Sequence, residues 1–372
     1  MHIRIGRDEL LKGLERIRGL TRKDVMPILA HALFTTDDGD LVITASDLEA
    51  TGVGRYSATV LEGGPAVIQA QTLFEIVKTL SGELEIKVDA KGATVISGKS
   101  KYKVPVMPPA DYPAIPTMQD AKYFEFPKEI LAKMIGRAIY AINERETRYT
   151  MTGLYLSLKG NGEGYADVLC AATDGHRLSK CADNVPVGAD DGDTPIIPGI
   201  IIPKKALFEI ARLLKAADPT IAIAFDKQLS IQAGDFSFVT RLMEGQFPNY
   251  EQIIPRDNGN VLTVKTAALM EAIKRAAVFS QKAVFGLATG KLAITTPDEG
   301  TGTADDEIEV EYSGPEMIVG FNIRYLIEAL SVIDGPDISM AFADSGAMHP
   351  VLITDKADDT TLHLIMPMRV QA

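Results

Sequence analysis

Apolar residues recur at spacings of three and four in a set of short stretches and alternate with polar residues through much of the remainder. Residues 7–18 carry Leu10, Leu11, Leu14 and Ile17 on one face. Residues 127–141 carry Ile130, Leu131, Met134, Ile135 and Ile139, and residues 266–279 carry Leu269, Ile273, Ala276 and Ala277. Such stripes predict amphipathic helices, and Pro127 is expected in a first turn, where its missing N–H is tolerated. Further helices are predicted over 71–80, 204–215 and 323–332. Period-two runs at 41–47, 84–90, 93–98, 220–226, 229–242, 291–295 and 307–314 predict strands, with Asp-Gly, Lys-Gly and Gly-Asn pairs as turns. Strand exceeds helix, which predicts an α+β fold with helices packed on one face of antiparallel sheets.

The pattern repeats. Leu73-Phe74-Glu75-Ile76 returns 134 residues later as Leu207-Phe208-Glu209-Ile210, and Tyr112-Pro113 returns 135 residues later as Phe247-Pro248. A weaker third copy runs from Phe321-Asn322-Ile323-Arg324-Tyr325 to the terminal Met366-Pro367-Met368-Arg369. A period of roughly 120 residues is too long for a solenoid and predicts three similar domains. Their expected bounds are 1–118, 119–256 and 257–372. Residues 114–123 and 254–261 read as linkers, and 186–198 and 296–306 as surface excursions.

The net charge of −12 taken alone argues against a nucleic-acid partner, but its distribution matters more. Lys and Arg in the six helical windows number 15 against 8 Asp and Glu, so the helices carry +7 and the rest of the chain −19. A solvated helix face would also be rich in lysine and arginine. Three repeats with two basic helices each, however, predict an arc with a basic concave face. Two such arcs would close into a ring of six domains suited to encircling a polyanion through contacts that carry no sequence information. The chain has no run of 18 apolar residues and opens without a signal-peptide core, so a cytoplasmic location is expected. The two cysteines, Cys170 and Cys181, fit no zinc spacing, and in a reducing compartment they are expected to stay thiols in or near strands.

Asp174-Gly175-His176 invites a hydrolase reading, with His176 as base, Asp174 as its orienter and Ser179 or Cys181 as nucleophile. No nucleophile elbow or phosphate-cradling glycine loop accompanies it, the five histidines are scattered, and no cofactor or metal is expected.

Thr173-Asp174-Gly175-His176-Arg177-Leu178, Gly245-Gln246-Phe247-Pro248-Asn249-Tyr250, Gly320-Phe321-Asn322 and Met366-Pro367-Met368-Arg369-Val370 resemble the bacterial β sliding clamp family, the processivity subunit of DNA polymerase III. Met26-Pro27-Ile28-Leu29 and Ser100-Lys101-Tyr102 extend the resemblance into the first repeat. The resemblance implies three clamp domains, a head-to-tail homodimer closed around duplex DNA, and no catalysis. It also implies tethering of replicative polymerase, clamp loader, translesion polymerases and mismatch-repair proteins through a short linear peptide, and no membrane.

It further implies particular residues. The peptide groove would be lined by Met151, Thr173, Gly175, His176, Arg177, Leu178, Pro248, Ile253, Asn322, Tyr325, Leu364, Met366, Pro367, Met368, Arg369 and Val370. Arg177 and the backbone at Gly175 would bond the peptide main chain. Tyr102 and Val104 would meet Val278 and Phe279 of a second copy. Lys12, Arg16, Lys23, Lys78, Lys133, Arg137, Arg145, Lys204, Arg212, Lys215, Lys274 and Arg275 would face DNA. Gln252 stands where a basic residue is common in the family, Met151-Thr152-Gly153 replaces Leu-Asn-Gly, the run after Phe279 is short, and Gln371-Ala372 extend the end.

Overall fold

The computed structural model describes residues 1–21, 26–115, 118, 121–160, 164–186, 197–298, 300, 302–343 and 349–369. They form two compact units, Met1–Glu129 with Lys205–Leu242, and Ile130–Lys204 with Met243–Ala372. Six α-helices occur among the described residues. They are α1 (Arg7–Ile17), α2 (Ala70–Thr79), α3 (Lys128–Ala138), α4 (Lys204–Lys215), α5 (Thr266–Ala276) and α6 (Ile323–Leu330). The apolar stripes account for them: Leu10, Leu14 and Ile17 of α1 are buried, as are Leu269, Ile273 and Ala276 of α5. Pro127 is not in a helical turn. It ends the strand Phe124–Pro127, whose last pairing is Pro127 with Thr220, and α3 starts one residue later.

The first unit holds two antiparallel sheets. In the five-stranded one the order is Thr59–Glu62, His2–Gly6, Glu83–Asp89, Gly92–Ser97 and Ser100–Val104. In the nine-stranded one, strands of the first repeat are continued by strands of the second: Ala50–Ser57 pairs with Phe236–Arg241, with Thr51 opposite Val239. The period-two run over 229–242 is two strands, Gln228–Ala233 and Phe236–Arg241, because Gly234 takes a left-handed φ of 57° and turns the chain.

The second unit has sheets of eight and four strands. Arg177–Pro186 pairs with Asp358–Ile365, so here second-repeat strands are continued by third-repeat strands. The four-stranded sheet ends on Asp305–Glu309, earlier in the chain than the 307–314 run predicts. Asp305-Asp306-Glu307 open that strand.

The repeated motifs are core motifs. Tyr112 packs with Ile28, Leu29 and Val67, and Phe247 with Ala171, Ile201 and Met243. Leu73 and Leu207 are both fully buried, but Phe74 is buried while Phe208 is exposed. In the third repeat, the rings of Phe285 and Phe321 meet edge-on at 5.0 Å inside a core walled by α5 and α6.

Phe285→Ala removes one of these rings from a fully buried site and is expected to cost about 3–5 kcal/mol. Urea denaturation checks this. A loss below about 1 kcal/mol would show that the site collapses around the gap.

Candidate functional site

The site grows from a hairpin. Tyr165–Thr173 pairs with Arg177–Pro186, and the chain reverses through Asp174-Gly175-His176. Gly175 has φ of 82°, and a Cβ there would run into the Arg148 guanidinium, so the turn needs glycine for both conformation and space. The Thr173 hydroxyl donates to the Arg177 carbonyl (2.7 Å) and accepts from the Gly175 N–H (3.1 Å). Asp174 Oδ1 accepts from the N–H groups of His176 (3.0 Å) and Arg177 (3.1 Å). Both polar side chains therefore shape the turn.

Arg177 anchors it from below. Its side chain is only 6% exposed, Nε donates to Asp174 Oδ2 at 3.1 Å, and Nη1 is paired with Glu328 of α6. The guanidinium lies over the rings of Tyr325 (4.5 Å) and Tyr140 (5.3 Å), and His176 stacks on the opposite side of the turn against Tyr325 at 6.3 Å. Arg177 is thus a support held by two carboxylates, and it also lines the cavity described below.

The same contacts correct the hydrolase reading. Asp174 holds backbone and Arg177, not the His176 ring. The Ser179 hydroxyl is buried and donates to the Arg137 carbonyl at 2.7 Å. Cys181 is buried opposite Cys170 across the ladder, in thiol contact, and that contact pulls Cys181 down to about 6 while pushing Cys170 up.

The C-terminal strand builds the facing wall. Leu178 pairs with Leu364 and Arg177 with Ile365. Beyond the strand, the Met366 N–H donates to the His176 carbonyl (2.8 Å) and the Met368 N–H to the Gly320 carbonyl (2.8 Å). A cavity of about 430 Å³ results, lined by Thr173, Gly175, His176, Arg177, Leu178, Gln252, Ile253, Ile254, Pro255, His349, Pro350, Leu364 and Met366.

Of the expected groove residues, Thr173, Gly175, His176, Arg177, Leu178, Ile253, Leu364 and Met366 come together here. Met151 is buried, the Pro248 carbonyl accepts from the Tyr250 N–H, and Asn322 caps α6 through the Arg324 N–H. Tyr325, Pro367, Met368 and Arg369 lie outside this cavity's lining, with Met368 bridged to Gly320. Val370 and the Gln371-Ala372 extension fall outside the described residues. Ile254, Pro255, His349, Pro350 and Arg148 escape sequence reasoning, because they sit in loops outside the repeated motifs.

The basic residues divide. Lys12, Arg16, Arg212 and Lys215, joined by Arg18, line one cavity of about 600 Å³ in the first unit. Lys78, Arg145 and Lys274 are exposed. Others carry a partner within their own unit. Lys133 pairs with Asp183 (3.1 Å) and Asp358 (3.7 Å), Arg137 with Asp358 and Asp334, and Arg275 with Asp306. Lys204 Nζ donates to the Ile142 carbonyl at 2.6 Å. Arg275 stays exposed in its pair, while Lys133, Arg137 and Lys204 are half-buried. Lys23 falls outside the described residues. Of the expected joint residues, Val278 is 77% exposed, Phe279 and Tyr102 are half-buried, and Val104 is buried at the end of an edge strand.

Beneath the turn lies a buried polar pair. Burial keeps the Tyr140 hydroxyl protonated, and it shares a hydrogen bond of 2.9 Å with His363 Nδ1. Burial, reinforced by Arg137, holds His363 down to about 3.

The chain resembles known proteins along its full length. Family profiles of the DNA polymerase III beta subunit match three times: the N-terminal domain over residues 1–116, the central domain over 125–249 and the C-terminal domain over 251–369. A beta sliding clamp of Caulobacter vibrioides (strain NA1000 / CB15N) is 30% identical over 380 residues, with 100% of both chains covered. The solved DNA polymerase sliding clamp of Caulobacter crescentus superposes with a TM-score of 0.91 at 29% identity, covering 100% of each chain. A Pseudomonas aeruginosa sliding clamp, solved bound to griselimycin, has a TM-score of 0.90 at 29% identity with the same coverage.

Arg177→Ala leaves Asp174 and Glu328 without their cation and is expected to cost about 3–5 kcal/mol, read as a shifted denaturation midpoint. A shift under about 1 kcal/mol would mean that water replaces the guanidinium at little cost. His363 has a folded-state value below its unfolded value of about 6.5, so the unfolded chain takes up the proton first. Its contribution to stability is full above about pH 6.5 and is lost as pH falls toward 3. His363→Gln should therefore flatten the acid limb of a stability-versus-pH curve by up to about 1.4 kcal/mol per pH unit. An unchanged slope between pH 6 and 4 would place the acid-sensitive group elsewhere.

Proposed function

This chain belongs to the DNA polymerase III beta subunit family, the bacterial sliding clamps, and from that premise we propose how its own residues do a clamp's work. It is a DNA sliding clamp with no catalytic step of its own. Two copies pair head to tail into a ring around duplex DNA. The cavity at the Asp174–Arg177 turn seats the apolar anchor of a short peptide carried by replicative polymerase, clamp loader, translesion polymerases and mismatch-repair proteins. The clamp domains run over 1–118, 119–256 and 257–372, and the ring acts in the cytoplasm, where its DNA is. Among the described residues no helix is long and apolar enough to cross a membrane.

The observation that carries the peptide reading is the folded-back terminus. Here the ladder partners Leu178 and Leu364 line the cavity together with Ile253 and Met366, and Ile253 is 46% exposed. Leucine, isoleucine and methionine make an adaptable pocket for one aliphatic or aromatic side chain. Gln252 at the rim offers an amide rather than a cation, so anchoring here is apolar first.

The joint is supported by two open sheet edges of opposite charge. Ser100–Val104 ends one sheet and exposes Lys101 and Lys103. Asp305–Glu309 ends another and exposes Asp305, Glu307 and Glu309. Edge-to-edge pairing of these strands from two copies would satisfy both ladders, with the charges favouring one register. Exposed Val278 and half-buried Tyr102 supply the apolar contact.

Two variants separate the two surfaces. Val278→Asp should yield monomers of 40.2 kDa in sedimentation with the fold intact, since the side chain is exposed in the single chain. A persistent dimer at sub-micromolar concentration would remove Val278 from the joint. Ile253→Asp should leave the dimer unchanged and weaken a peptide with a leucine anchor from micromolar affinity by tenfold or more, about 1.4 kcal/mol. It should also abolish polymerase stimulation and loader-dependent loading onto circular DNA, since the clamp loader's peptide uses the same cavity. Unchanged peptide affinity would overturn the cavity as the docking site.

A further inference from the structure

The cavity of about 600 Å³ in the first unit lies against the last turns of α1 and α4, and its charge is out of balance. Lys12, Arg16, Arg18, Arg212 and Lys215 line it against the single carboxylate of Glu15, a lining charge of +4. Helix C-termini attract cations, and two such ends supply roughly one negative charge between them. With Arg212 also neutralised by Glu209, that leaves a surplus of roughly two positive charges. Among the described residues Arg212 has an ion pair, with Glu209 at 2.9 Å, while Lys12, Arg16, Arg18 and Lys215 have none.

Two of the guanidinium groups are held in place. Arg18 lies over the Phe74 ring at 5.0 Å and Arg16 over Phe236 at 5.4 Å. The Arg16 Nε and Nη1 are shut from solvent without a hydrogen-bond partner among the described residues. Burial pushes the adjacent Tyr56 hydroxyl up to about 12, so it stays neutral and supplies Arg16 with no counter-charge. A cation in such surroundings is short of an anion. Gly19 borders the same cavity, and a Cβ there would overlap the Glu209 carboxylate, so the α4 side chain that pairs with Arg212 packs directly on the end of α1.

We propose that this cavity is a discrete seat for a phosphate group of the nucleic-acid backbone. The exposed Arg18 fork matches two phosphate oxygens, its orientation is fixed by the Phe74 ring beneath, Arg16 adds its unneutralised charge from behind, and the exposed Lys12 and Lys215 complete the shell as point charges. The inference rests on the DNA-encircling reading and deepens it. Contact with DNA is concentrated at one built position per chain, so sliding proceeds by release and reseating of a phosphate rather than over a uniform basic lining. Phosphate contacts of this kind position without reading sequence.

Inorganic pyrophosphate is the probe, titrated calorimetrically into the full chain at fixed ionic strength. Saturable binding at one per chain is expected. Arg16→Gln and Lys215→Gln should each weaken it about tenfold or more, as loss of a charged partner does. The double variant should lose less than the product of the two, because both hold one ligand. Lys274→Gln, an exposed cation on α5, should leave it unchanged. Arg16 is partly buried, so if Arg16→Gln fails to fold, the exposed Lys215→Gln carries the test by itself. A duplex of about 20 base pairs should displace the pyrophosphate, in keeping with backbone-phosphate binding. Absence of saturation, strictly multiplicative losses, or pyrophosphate that excess duplex leaves in place would each overturn the proposal. Retention on circular DNA is a separate readout: if it fails while pyrophosphate binding and its displacement persist, the ring reading falls and the seat stands.

Discussion

A β-strand at a sheet edge carries a row of unpaired N–H and C=O groups, and the way each edge is closed governs most of this molecule. No repeat closes its sheets alone. In the first unit Ala50–Ser57 is completed by Phe236–Arg241, and in the second Arg177–Cys181 is completed by Thr361–Ile365. The second repeat therefore gives strands to both units, and a motif of the first or third repeat is held in place by residues more than a hundred positions away. Two of the edges left open, Ser100–Val104 and Asp305–Glu309, carry charged side chains of opposite sign. Charge on an edge discourages indiscriminate pairing and favours a partner of matching pattern.

The second of those shared ladders places the groove. Pairing of Leu178 with Leu364 brings the C-terminal strand beside the Asp174–Arg177 turn, and the hydrogen bonds from Met366 to His176 and Met368 to Gly320 carry the tail onward. The turn itself stands on Arg177. A buried guanidinium is stable only with its charge matched and its donors filled, and Asp174, Glu328 and two tyrosine rings do both. Beneath them the neutral Tyr140–His363 pair adds a polar contact without adding charge. The outer surface can then be apolar and open while the layer under it is polar and rigid, the arrangement a peptide-docking cavity needs.

Electrostatics follow the same division of labour. Helical surplus charge of +7 is a property of the whole set of helices, but the individual cations have different roles. Lys133 and Arg137 neutralise Asp183, Asp334 and Asp358 within the second unit. Arg16 and Arg18 rest on aromatic rings with no carboxylate paired to them among the described residues. A basic residue influences an outside polyanion only to the extent that no carboxylate of its own protein has neutralised it.

The sequence by itself determined the elements, the repeat and the family resemblance. Helix faces such as Leu10–Leu14–Ile17 and strand alternation are local periodicities, and Tyr112 and Phe247 recur because each fills a core. The turn at Gly175 was legible too, since positive φ and the polar residues around it are a short-range requirement. Only the tertiary structure decided which strands join which, because hydrogen-bond registers between distant segments leave no mark in composition. It also decided which cations are free, since the carboxylate that neutralises Arg137 lies 221 residues away at Asp358. The contributions of His349, Pro350, Ile254 and Pro255 to the cavity belong to the same class. These loop residues acquire a role only when the Leu178–Leu364 ladder brings their surroundings together, and no periodicity announces a contact made by a loop.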